Sequence, residues 1–171
     1  MVDSKEALKD NALDYVRKTF ITKVAYKLHS RIESKESLTE ISKSFDECVF
    51  LPKKWSLNQS QISGITFSYD IEIIRPRNSI PNVKFVESFI SQILGALKIP
   101  LECLVIMMIY LERLQKTQGF HLSGANWRPI AFTALLLSSK IWDDNHPFNI
   151  EFSLAYRAYT PKTILRMEMA F

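Results

Sequence analysis

The stretch Asn126–Asp144 reads N-W-R-P-I-A-F-T-A-L-L-L-S-S-K-I-W-D-D, and it constrains the fold more than any other part of the chain. Ile130–Leu137 is apolar apart from Thr133, so a helix through it has no polar face and must be buried on nearly every side. Asn126 stands where an N-cap would, able to accept a free backbone N–H of the first turn. Pro129 falls in that first turn, where a missing N–H costs little. Ala131, Ala134, Ser138 and Ser139 are small and would let neighbouring helices approach closely. Lys140 sits in the last turn, where the helix dipole favours a cation. Asp143 and Asp144 follow at once, where the same dipole disfavours acids. That conflict points to groups outside the helix.

What surrounds such a core can be read from the rest of the 171 residues, a length suited to a single domain. Residues 4–34 are expected to form a helix, with Leu8, Ala12, Tyr15, Val16, Phe20, Val24, Leu28 and Ile32 as an apolar stripe. Its acids (Asp3, Glu6, Asp10, Asp14) come early and its bases (Arg17, Lys18, Lys23, Lys27, Arg31) late, an order that complements the dipole. A solvated surface face accounts for these charges, and membrane contact through the basic face is the weaker alternative. Residues 35–81 read as an extended linker wrapping the core, with room for one short helix. Arg75-Pro76-Arg77-Asn78-Ser79-Ile80-Pro81 breaks any helix there.

From Asn82 the periodicity sharpens. Asn82 is expected to cap a helix through about Lys98, with Phe85, Val86, Phe89, Ile90, Ile93, Leu94 and Leu97 inward. Pro100 starts the next helix, Leu101–Thr117. Gly119 and Gly124 frame the loop into the central helix. After it come a turn at His146-Pro147, a short helix from Asn149 to about Ala158, and another beginning near Thr160-Pro161. Several core helices and no convincing strand give an all-α fold.

The chemistry-bearing residues make a poor enzyme. His29, His121 and His146 are dispersed, with no metal-ligand spacing to Cys or acids. No H-E-x-x-H, G-x-S-x-G or P-loop occurs. Cys103 with His121 would be a nucleophile and base, but Cys103 opens an apolar helix and reads as an inert core thiol. With Cys48 as the other cysteine, a reduced, intracellular setting (cytoplasm or nucleus) is expected. Asp143-Asp144 is a weak metal site, and a hydrogen-bonded helix end fits it better. Glu112 is expected to form an ion pair with a neighbouring helix, Lys84 being one candidate partner. No metal and no cofactor is implied. A charged N-terminus without an apolar core excludes a secretory signal. The longest apolar run, Leu104–Leu111, falls far short of the ~20 residues a membrane span needs.

Taken in order, Tyr110-Leu111-Glu112-Arg113-Leu114, Ala125-Asn126-Trp127-Arg128 and Ala134-Leu135-Leu136-Leu137-Ser138-Ser139-Lys140-Ile141-Trp142-Asp143-Asp144 resemble the cyclin box. The Trp142-Asp143-Asp144 ending with Phe148-Asn149-Ile150 is most similar to cyclin Y and the yeast phosphate-response cyclins. Tyr159-Thr160-Pro161-Lys162 and Leu165-Arg166-Met167-Glu168 resemble the start of the box's fifth helix. The resemblance spans residues 82–171 and implies a single five-helix cyclin box of the N-terminal type, its fifth helix truncated. It departs from the family at Arg128-Pro129, where relatives usually have Lys or Arg followed by a helix former.

The resemblance also implies a function without catalysis: binding a cyclin-dependent kinase of the PCTAIRE/PFTAIRE or phosphate-pathway type and holding its C-helix and activation segment in the active arrangement. By motif, Lys140 and Glu168 match the pair that hydrogen-bonds the kinase backbone beside its C-helix. Ile141 matches the residue that packs on that helix, and Asp143 lies at the rim. A cyclin-fold adaptor that activates no kinase is the alternative. Nucleic-acid binding ranks last. The net charge of +4 is mild, and the bases gather in the first helix without interleaved aromatics.

Overall fold

The computed structural model describes residues 3–33, 45–50 and 80–171. The described elements are α1 (Asp3–His29), β1 (Ile32–Glu33), α2 (Glu47–Phe50), α3 (Val83–Leu97), α4 (Glu102–Gln118), β2 (Leu122–Ser123), α5 (Trp127–Trp142), α6 (Asn149–Ala155) and α7 (Pro161–Ala170). The fold is all-α. No described helix is long and apolar enough to cross a membrane. Most of the 35–81 stretch, including Arg75–Pro81 up to Ser79, lies outside the described residues.

Local signals set the helix ends from α3 onward. Asn82 caps α3, its Oδ1 accepting the Phe85 N–H at 2.7 Å. Lys98 ends that helix in the left-handed region at φ 52°. Gly119 ends α4 in the same region at φ 58°, which its lack of a Cβ permits. Thr160 caps α7 through the Thr163 N–H, with Pro161 in the first turn.

α5 is the centre of the domain, with Ile130–Leu136 buried without a break and Ser138 and Ser139 buried beyond it. The hydroxyls cause no buried deficit: Thr133, Ser138 and Ser139 each donate to a carbonyl of the preceding turn, those of Pro129, Ala134 and Leu136. α4 and α7 pack on α5, α6 packs on α3 and α7, and α1 lies along α3. Aromatic side chains fill the joints. Trp127 meets Phe85 and Phe89 edge-on, while Phe132 packs against Phe152 and Tyr159 with ring centroids 5.6 and 5.1 Å apart.

The structure corrects several expectations. Asn126 does not cap α5: its Oδ1 accepts the Ser123 N–H at 2.8 Å and its Nδ2 donates to the His121 carbonyl, so it fastens the preceding loop. A strand pair exists, a parallel two-residue ladder of Ile32 with Leu122 and Glu33 with Ser123. It ends α1 at His29, short of residue 34. Of the expected α1 stripe, Val24 and Leu28 are buried, with Ile21 and Ala25 buried beside them, whereas Tyr15 is 72% exposed. Helical spacing marks a face but not how much of it finds a neighbour. Glu112 pairs with Arg31 at 3.3 Å and Lys116 at 2.6 Å, not with Lys84. The Lys116 hydrogen bond first, then Arg31, holds its carboxyl below the usual range. α6 is shorter than expected and stops at Ala155.

Candidate functional site

The end of α5, the start of α6 and the later turns of α7 bring three polar side chains together. Lys140 Nζ donates to Glu168 Oε1 at 2.5 Å and to Asn149 Oδ1 at 2.9 Å. Asn149 Nδ2 donates in turn to Glu168 Oε2 at 2.6 Å. Each arrives there for a local reason. Lys140 is in the last turn of α5, where its charge suits the dipole. Asn149 is the first residue of α6, whose start is fixed by the Glu151 carboxylate accepting the Phe148 N–H at 2.7 Å. Glu168 lies two turns past the Thr160 cap of α7.

Lys140 and Glu168, expected from the sequence to act together, are thus in contact. The glutamate side chain is 14% exposed and the lysine 27%, so solvent reaches mainly the cation. The pair is better shielded than an ordinary surface bridge, and its hydrogen bonds are charge-assisted. Ile141, the next residue, is 68% exposed. Trp142, Leu165 and Met169 are exposed as well, and Leu165 shares the face of Glu168 by its three-residue spacing from it. A charged pair in the company of bare apolar side chains is the composition of a protein-docking surface.

Asp143 has a role inside the chain. Its Oδ1 accepts the Asn145 N–H at 2.9 Å, and its own N–H donates to the Ser139 carbonyl. The acid that conflicts with the dipole is therefore held by the turn that follows, while Asp144 is exposed.

Asn149 is the member that sequence reasoning missed. It belongs to the Phe148-Asn149-Ile150 segment, but no helical period links it to Lys140 across the intervening turn.

Cys103 is buried at the start of α4, and burial first, then Glu102 and Asp143, pushes its thiol up to about 11. It is protonated at neutral pH and a poor nucleophile. His121 Nδ1 lies 3.1 Å from Glu33 at the end of the strand pair. Among the described residues no three His, Cys, Asp or Glu side chains group to hold a metal ion.

Residues 82–171 match a family model described as the cyclin N-terminal domain, which accounts for more than half of the chain. No solved structure matches.

Proposed function

The chain belongs to the cyclin family, and from that premise we propose that it binds and activates a cyclin-dependent protein kinase, as a regulatory subunit and not as an enzyme. The proposal extends to the kinase class, PCTAIRE/PFTAIRE or phosphate-pathway, on the strength of Trp142-Asp143-Asp144 and Phe148-Asn149-Ile150. The observation that carries this reading is the Lys140–Glu168 pair beside exposed Ile141. Lys140 and Glu168 would hydrogen-bond kinase backbone beside the C-helix, Ile141 would pack on that helix, and Asp143 would lie at the rim. Activation is then a population shift: the cyclin binds the active conformer of the kinase more tightly and so favours it.

The test mixes the full chain with purified kinases of both types and measures complex formation and substrate phosphorylation. Binding with stimulated phosphotransfer, lost in Lys140→Ala with Glu168→Ala, is the expected result. Binding without stimulation would make the protein a cyclin-fold adaptor. Binding unchanged by the double substitution would remove the site assignment, and absence of binding would remove the function.

A further inference from the structure

A lysine ammonium has three N–H donors on a flexible four-carbon stem, and a carboxylate offers only acceptors. A Lys–Glu pair by itself leaves the ammonium free to pivot about the carboxylate. Here the pivot is blocked by a third side chain. Asn149 accepts from Lys140 through Oδ1 and donates to Glu168 through Nδ2, at 2.9 and 2.6 Å. With the direct Lys140–Glu168 bond, these contacts close a ring that ties α5, α6 and α7 at one point. An amide is suited to this place because it donates and accepts at once. An aspartate would face Glu168 with like charge, and an alanine would leave Glu168 Oε2 without that donor.

The ring engages two of the ammonium's three donors. One N–H is left, and Lys140 is the more exposed of the two charged members. We propose that Asn149 is a positioning residue of the kinase-binding surface: by bridging Lys140 and Glu168 it fixes the direction in which Lys140 offers its remaining N–H to a backbone carbonyl of the kinase. This inference rests on the reading of Lys140 and Glu168 as kinase-facing. Asn149 itself need not touch the partner. Its contribution is preorganisation, a lysine whose rotamers are restricted before the kinase arrives.

The test measures kinase affinity, with the kinases used above, for the full chain and for Asn149→Ala, the isosteric Asn149→Asp, Lys140→Ala, and Lys140→Ala combined with Asn149→Ala. Melting temperature is recorded for each free protein, and the ¹⁵Nζ relaxation of Lys140 for those that keep the lysine. Asn149→Ala is expected to weaken binding about fivefold, the worth of one hydrogen bond, and Asn149→Asp to weaken it further. Both should leave the Lys140 ammonium more mobile. Because Asn149 acts through Lys140, adding Asn149→Ala to Lys140→Ala should cost nothing more. An equal loss in both backgrounds, or an unchanged Lys140 ammonium, would make Asn149 merely structural and overturn the inference. Full affinity in both Asn149 variants while Lys140→Ala binds weakly would also overturn it, leaving the kinase-facing reading intact. Full affinity in Lys140→Ala, or a wild-type chain that binds neither kinase, would overturn that reading and this inference with it.

Discussion

Arg128, in the first turn of α5, donates from Nη1 to the Glu47 carboxylate of α2 at 2.8 Å, and both side chains are buried. The Tyr159 hydroxyl donates to the same Glu47 oxygen at 3.0 Å, and the guanidinium lies 5.1 Å from the Phe85 ring centre and 5.4 Å from that of Trp127. The Glu47 N–H donates to the Ala125 carbonyl. A residue that precedes the box in sequence is thereby fastened to the start of its central helix and to the loop before α7. Phe45 adds an apolar tie, packing edge-on against Phe171. Burial pushes the Glu47 carboxyl above its usual range, opposed by Arg128 and the Tyr159 hydroxyl.

Removing one member of that pair strands the other's charge in the interior. Glu47→Ala is expected to destabilise the fold by about 3–5 kcal/mol, and Arg128→Ala by a similar amount. Tyr159→Phe, which deletes one hydrogen bond, should cost only about 1 kcal/mol. Replacing both charges, Glu47→Leu with Arg128→Met, should recover most of the loss. Urea denaturation of the four variants checks the order. A double substitution as damaging as the sum of the singles would deny the coupling.

Core packing around α5 gives a second expectation. Phe132 is fully buried among Phe152, Tyr156 and Tyr159. Phe132→Ala should therefore cost about 3–5 kcal/mol through lost transfer energy and the cavity left behind. A thermal melt lowered by no more than that of a surface alanine variant would show that the joint collapses to fill the space.

The helix caps should each be worth less. Asn82→Ala and Thr160→Ala remove side-chain acceptors for Phe85 N and Thr163 N. Each is expected to cost about 1 kcal/mol, whereas the glycine substitutions should cost a few tenths. Calorimetry of the four proteins separates capping from a general sensitivity of these positions.

Cys103 supplies the pH test. Its thiol releases its proton at about 11 in the native protein, against 9.0 for an unperturbed one. Between those values the native state holds a proton that the unfolded state has lost. Stability therefore falls as pH rises through that window and is unaffected by this group below it. Alkylation of Cys103 should be slow at neutral pH and rise with a midpoint near 11. A midpoint near 9.0 would mean that the thiol meets solvent freely.

The elements legible from the chain alone are those whose causes lie within a few residues. Asn82, Thr160 and Pro161 mark helix starts because a cap needs only the next turn. The apolar run of α5 required burial in any fold that contained it. The Lys140–Glu168 contact was reached through family resemblance, since nothing in the spacing of these two residues joins them.

The pairings between elements far apart in sequence come from tertiary packing alone. Arg31 meets Glu112 because β1 lies alongside β2 and brings the end of α1 to α4. Asn126, a cap by sequence, turns backwards because the loop before α5 needs its amide more. Asn149 joins Lys140 and Glu168 only after α5, α6 and α7 have packed. Residue pattern fixes helices because their hydrogen bonds close within four residues. The companion of a polar side chain is fixed by which surfaces the core brings together. Here the buried length of α5 makes that choice, and its last turn carries the lysine that the choice serves.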